Sequence, residues 1–123
     1  MGGRGAFLET GGFTVYDFEA VRYVEGIKVL EPKNKEKSWD IPHRSNTPGT
    51  SYIKVERHGK TAILRKYGQE RKPIMDFEYG IDGGVYTWHT HTWKGDVKGK
   101  AKSMDDAEKE RYARLFKKAG LKL

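Results

Sequence analysis

The chain has 123 residues, with 24 Lys and Arg against 17 Asp and Glu, a formal net charge of +7 and no cysteine. One basic domain is the expectation, attractive to polyanions such as nucleic acid. Without thiols, disulfides and thiolate metal sites are excluded, and any metal would have to use His, Asp or Glu.

Residues 1–12 hold five glycines and no periodic apolar pattern. They read as a flexible lead-in, a linker from a longer polypeptide with an added initiator Met. Phe13 to Leu30 is rich in Val, Tyr, Phe and Ile and broken at Gly26. Two strands are expected there, with a short helix over Asp17 to Arg22 as the alternative. Glu31 to Gly49 contains three of the four prolines and the charged tract Lys33 to Lys37. It reads as a loop, longer than most within a small domain and of the kind that carries function.

Ser51 to Arg57 and Lys60 to Tyr67 flank His58-Gly59, a hairpin signature. Lys72 to Tyr79 makes a third strand of this group and Gly84 to Trp93 a fourth, joined by Gly80-Ile-Asp-Gly-Gly84. The expected arrangement is an antiparallel meander. Lys94 to Lys102 is a basic, glycine-spaced loop. Ser103 then reads as the N-cap of a helix, with Asp105, Asp106 and Glu108 in a first turn that complements the dipole. Met104, Ala107, Tyr112, Leu115, Phe116 and Ala119 follow helical spacing, and Gly120 ends the helix. The expected class is α+β: four to six antiparallel strands with one C-terminal helix packed on a face, spanning residues 13–123.

Chemistry concentrates in Tyr86-Thr-Trp-His-Thr-His-Thr-Trp93, which holds two of the four histidines. Strand alternation puts His89 and His91 on one face with Val85, Thr87 and Trp93. The third strand alternates Ile74, Asp76 and Glu78 against Met75, Phe77 and Tyr79, so two polar faces can meet. His43 and Arg44 in the long loop and Arg65 on the second hairpin strand are further candidates.

Three readings compete for the histidine pair. In the first, both are exposed strand residues or partners of Asp76 with no further role. In the second, they ligate a divalent ion such as zinc, with Asp76, Glu78 or His43 completing the shell. The third ligand has no position from sequence, so no cofactor and no high-affinity metal are expected. In the third reading, they are the acid and base of RNA phosphodiester transfer, whose nucleophile is the RNA's own 2′-hydroxyl. Arg65 or Arg44 would meet the phosphorane charge, and Asp76 would orient one imidazole. Lys66, Lys94, Lys98 and Lys100 would hold the RNA backbone, and Trp88, Trp93 or Tyr67 would offer stacking surfaces, although Trp88 is better suited to packing under the helix.

The motifs Gly2-Gly-Arg-Gly-Ala6, Ser45-Asn-Thr-Pro48, Leu64-Arg-Lys-Tyr-Gly68, Lys72-Pro-Ile-Met-Asp76 and His89-x-His91-x-Trp93 carry a resemblance. The chain resembles a C-terminal module attached to minor head (head-morphogenesis) proteins of Gram-positive phages and mobile elements. Similar modules form toxin tips of secreted polymorphic toxins. The match runs over about residues 44 to 93, and none of its motifs is as diagnostic as a phosphate-binding loop. The resemblance implies chemistry at Arg65, Asp76, His89 and His91, and a toxin-like nuclease. It also implies a head-protein tail that keeps the fold as an interaction module. Toxin-like members have a proline before the first histidine, where this chain has Trp88.

The functional expectation is therefore a toxin-like ribonuclease domain acting by histidine acid–base catalysis without metal. A non-enzymatic phage interaction module and a His/carboxylate metal-binding protein are the alternatives. Expected partners are RNA, phage head proteins or a neutralising protein. No membrane partner is expected, because no apolar run reaches the roughly 20 residues of a span and no signal-peptide apolar region is present. The expected location is cytoplasmic or virion-associated.

Overall fold

In the computed structural model, which describes residues 8–10, 13–15, 18–33 and 41–123, ten strands precede one helix. The strands are β1 (Leu8–Thr10), β2 (Phe13–Val15), β3 (Phe18–Val24), β4 (Ile27–Pro32), β5 (Ser51–Val55), β6 (Ala62–Tyr67), β7 (Pro73–Asp82), β8 (Val85–Lys94), β9 (Val97–Lys98) and β10 (Lys102–Ser103). The helix, α1, covers Asp106–Ala119. β1 pairs with β2 in a small two-stranded sheet, so part of the expected lead-in is strand; residues 1–7 and 11–12 lie outside the described residues. The main sheet runs β10-β8-β7-β6-β5-β4-β3, with β9 also paired to β8.

The class is α+β, as the sequence reading expects, but the sheet is larger and not a pure meander. β4 and β5 are parallel, Val29 beside Ile53. Parallel neighbours need a long crossover, and the chain between Pro32 and Ser51 supplies it. The long loop thus has a topological reason beside any functional one. Its residues 34–40 lie outside the described residues, which takes in most of the charged tract. Asp17 is likewise outside them, and the expected alternative helix from it to Arg22 is otherwise strand β3.

From β5 to β8 the sheet follows the expected order. β7 and β8 extend past their expected ends and turn at Gly83-Gly84, with φ +60° and +84°, backbone angles that only glycine adopts at low cost. The segment expected to be a basic loop instead folds back along β8. Lys98 pairs with Trp93, and Ser103 pairs with His89. Ser103 is consequently drawn into β10 and does not cap the helix. Asp105 is the N-cap: its side chain accepts from the Glu108 amide at 2.8 Å, while the Glu108 carboxylate accepts from the Asp105 amide at 3.1 Å. This reciprocal box satisfies two otherwise orphan donors.

The two sheet faces differ in chemistry. Ile53, Val55, Ala62, Leu64 and Phe77 pack beneath Tyr112, Leu115, Phe116 and Ala119 of α1. Phe77 stacks on Tyr112 with centroids 4.3 Å apart, and Trp88 lies parallel to Phe116 at 6.1 Å. Trp88 therefore packs under the helix. On the opposite face, Phe18, Leu30, Tyr52 and Tyr67 form a smaller apolar cluster. Beyond it, on the same face, the polar residues of β6, β7 and β8 begin.

Candidate active site: histidine, carboxylate and lysine on one sheet face

Register across β5 to β8 aligns the polar face in two rows. Tyr52, Arg65, Asp76 and His91 stand opposite one another in sequence, and Lys54, Ile63, Glu78 and His89 form the next row. Because directly paired residues share a face, the strand alternation that places His89 beside His91 also places Asp76 and Glu78 against them.

Asp76 is fully buried and saturated. It accepts from Arg65 Nε at 2.8 Å, from Arg65 Nη2 at 3.0 Å and from Trp93 Nε1 at 3.0 Å. The remaining Arg65 contact goes from Nη1 to the Pro42 carbonyl at 3.2 Å, which also accepts from the Tyr67 hydroxyl. Burial works against the Arg65 charge, but the bonds and charge of Asp76 outweigh it and hold the guanidinium pKa above its ordinary value. Arg65 also lies 5.0 Å from the Trp93 ring centre. The bidentate pair is thus a buried strut binding β6 and β7 to the segment at Pro42. Its donors point into the protein, and the Asp76 carboxylate bonds Arg65 and Trp93 rather than an imidazole.

Glu78, not Asp76, is the carboxylate beside the histidines. Its Oε2 lies 3.6 Å from His91 Nε2 and 3.3 Å from Lys98 Nζ, and the ammonium also reaches to 3.8 Å from Asp76. His91 Nε2 lies beyond hydrogen-bond distance and the Lys98 ammonium is not aligned as a donor, so this buried oxygen has a cationic neighbour but no hydrogen bond. His89 and His91 meet edge to face with centroids 5.1 Å apart.

Both imidazoles are held through Nδ1. His91 Nδ1 lies 2.8 Å from the Gly99 carbonyl, supplied by the residue that follows β9. A carbonyl can only accept, so Nδ1 carries the proton. His89 Nδ1 lies 2.9 Å from Thr87 Oγ1 and 3.2 Å from the Thr87 carbonyl. In each ring Nε2 is the nitrogen left for chemistry. His89 is buried, His91 and Glu78 are partly exposed, and Lys98 is the most open member of the cluster.

A cavity of about 330 Å³ adjoins the cluster and shares Glu78 and Lys98 with it. Lys54, Arg65, Glu56 and Ile41 also line it, so three cationic and two acidic side chains border one recess. Lys54 is buried on β5 and donates to the Val55 carbonyl. No sequence signal marks it, since a lysine within Tyr-Ile-Lys-Val reads as a solvated strand position. Glu78 had a signal, its two-residue spacing from Asp76, but only strand register distinguishes which carboxylate meets the imidazoles.

Other expected site residues fall outside this cluster. Lys66 is on the helix face, its ammonium 5.3 Å from the Phe77 ring centre, so it cannot serve a nucleic acid lying on the histidine face. Arg44, Lys94 and Lys100 are exposed. His43 contacts Asp96 at 3.3 Å and meets Trp93 edge-on at 5.8 Å. Tyr67 is buried, and burial raises its pKa; it is closed to base stacking. Among the described residues, no helix is long and apolar enough to cross a membrane. Compared with protein-family models, curated proteins and solved structures, the chain has no match.

Proposed function

We propose that this domain cleaves RNA phosphodiesters by acid–base catalysis at His89 and His91, in the manner of the toxin-like nuclease modules it resembles. The observation that carries the reading is the gathering of two Nδ1-anchored imidazoles, Glu78 and Lys98 on one sheet face beside a charged recess.

One imidazole takes the proton of the RNA 2′-hydroxyl through Nε2, and the 2′-oxygen forms a bond to phosphorus. The bond from phosphorus to the 5′-oxygen breaks, and the other imidazole, protonated at Nε2, delivers its proton to that leaving oxygen. The products are a 2′,3′-cyclic phosphate and a 5′-hydroxyl. Rings 5.1 Å apart are near enough for one phosphodiester to lie between them, reached directly or through one water, and this spacing supports the reading. Lys98 faces the negative charge that develops on the phosphorane, the role that Arg65 cannot fill while its donors are committed to Asp76 and Pro42. Glu78 holds Lys98 in place, and the Gly99 carbonyl holds His91. The Arg65–Asp76 strut fixes the strands beneath them.

Incubation with single-stranded RNA and DNA, with and without a chelator, tests the proposal. RNA should be cut to cyclic-phosphate ends in both conditions while DNA, lacking the nucleophile, survives. Intact RNA in every condition would refute it.

A second reading, a non-enzymatic interaction module, draws on a different observation. Ile81 and Tyr86, paired across the strands on the helix face, and Val85 on the other face stand exposed at the β7–β8 turn, on the end of the hairpin away from His91.

A further inference from the structure

We propose that Glu78, His89 and His91 bind one divalent transition-metal ion of the zinc class, and that the bound ion silences the acid–base pair. The second half rests on the proposed cleavage reaction; the first half does not.

The geometry comes first. One ligand atom from each residue lies within 4.8 Å of the other two. Three points so placed always share a centre no more than about 2.8 Å from each, and contraction by about 0.7 Å reaches the roughly 2.0–2.2 Å of zinc–nitrogen and zinc–oxygen bonds. Side-chain rotation on neighbouring strands can supply a movement of that size without changing the register.

Second, the imidazoles are already oriented as ligands. A metal-bound histidine commonly donates its other ring N–H to a carbonyl or similar acceptor, which fixes its tautomer. His91 does this with the Gly99 carbonyl at 2.8 Å, and His89 Nδ1 has the Thr87 carbonyl as an acceptor at 3.2 Å, with the Thr87 hydroxyl 2.9 Å away.

Third, Glu78 Oε2 is a buried carboxylate oxygen with no hydrogen bond. Leaving such an atom unsatisfied is costly, and coordination would remove the cost. Its present cationic neighbour, Lys98, sits on a two-residue strand with 38% of its side chain exposed. The ammonium holds the position of the positive charge and can swing into solvent when an ion takes its place. Two imidazoles and one carboxylate favour borderline transition ions over magnesium or calcium, which prefer all-oxygen shells. Coordination would occupy the Nε2 lone pairs that proton transfer needs and would displace the lysine that faces the phosphorane.

The test is zinc chloride titrated into the full chain while the imidazole ring signals are recorded, with magnesium chloride in parallel and RNA cleavage measured with and without zinc. One equivalent of zinc at micromolar concentration should shift the His89 and His91 rings together, leave His58 unchanged, and lower cleavage until chelator restores it. Glu78→Gln should weaken zinc binding about tenfold or more, the scale on which metal sites respond to lost partners. Lys98→Ala should tighten it, an effect no merely structural role for Lys98 would produce. Both substitutions fall at partly exposed positions, so a folded variant can be verified before titration. Absence of ring shifts up to millimolar zinc, or binding indifferent to Glu78→Gln, would overturn the site. Cleavage that requires added metal would overturn the silencing. If RNA survives every condition, the proposed enzymatic function fails, while the ring shifts still decide the metal site.

Discussion

Replacing Asp76 by Asn tests the strut on which the candidate site stands. The wild-type carboxylate is fully buried and accepts three hydrogen bonds, two from Arg65 and one from Trp93. Asparagine removes the charge opposite a guanidinium whose side chain is only 9% exposed, and it offers one acceptor oxygen where two served. Its NH2 group would face N–H donors. Breaking one partner of a buried ion pair costs about 3–5 kcal/mol. Glu78 lies near enough to temper the stranded positive charge, so the lower end, about 3 kcal/mol, is expected. Against a total stability of about 5–15 kcal/mol, that is a large share. With a urea slope of about 1.5–2 kcal/mol/M, the unfolding midpoint should fall by about 1.5–2 M. Tryptophan fluorescence suits the measurement, because the Trp93 indole donates to Asp76 itself. A midpoint that falls by less than about 0.5 M at unchanged slope would mean that the pair contributes no more than an exposed one, and the strut argument would be wrong. The double variant Arg65→Met with Asp76→Leu should recover much of the loss, since matched apolar side chains often replace a buried ion pair at little cost.

Substituting His91 by Ala should lower RNA cleavage by about 10²-fold or more while costing under about 2 kcal/mol of stability, separating catalysis from folding in paired activity and urea measurements. Burial pushes the Tyr52 pKa up to about 12, above its ordinary value, so the folded state favours the neutral phenol. Its stabilising contribution is complete below about pH 10 and is lost as pH rises toward 12, so Tyr52→Phe should remove part of the tyrosinate absorbance that appears together with alkaline unfolding. Removing the helix cap with Asp105→Ala should cost about 1 kcal/mol in thermal or urea unfolding, whereas Ser103→Ala should leave the helix start unchanged. RNA affinity should fall steeply with salt through counterion release, and a binding constant flat between low and high salt would refute a phosphate-directed interface.

Much of this protein is legible in its sequence because the relevant signals are local. Period-two alternation and glycine turns mark β5 to β8, and the spacing of Tyr112, Leu115, Phe116 and Ala119 with Gly120 beyond them marks α1. The same alternation puts His89 and His91 on one face and sets Asp76 and Glu78 toward them. Local pattern cannot count strands recruited by tertiary pairing, however. β9 and β10 are two residues each, and they exist because the chain after Lys94 finds backbone partners on β8; that pairing is also what takes Ser103 from the helix cap and leaves Asp105 to fill it. The parallel β4–β5 contact likewise depends on where a long crossover returns. The division of labour between two carboxylates of like chemistry was settled only in three dimensions. Asp76 stands opposite Arg65 and is consumed by it, while Glu78, one step along the same face, stands opposite His89 and meets Lys98 from the returning strand. Alternation assigns a side chain to a face, but which neighbour it meets there depends on strand register and on segments distant in the chain.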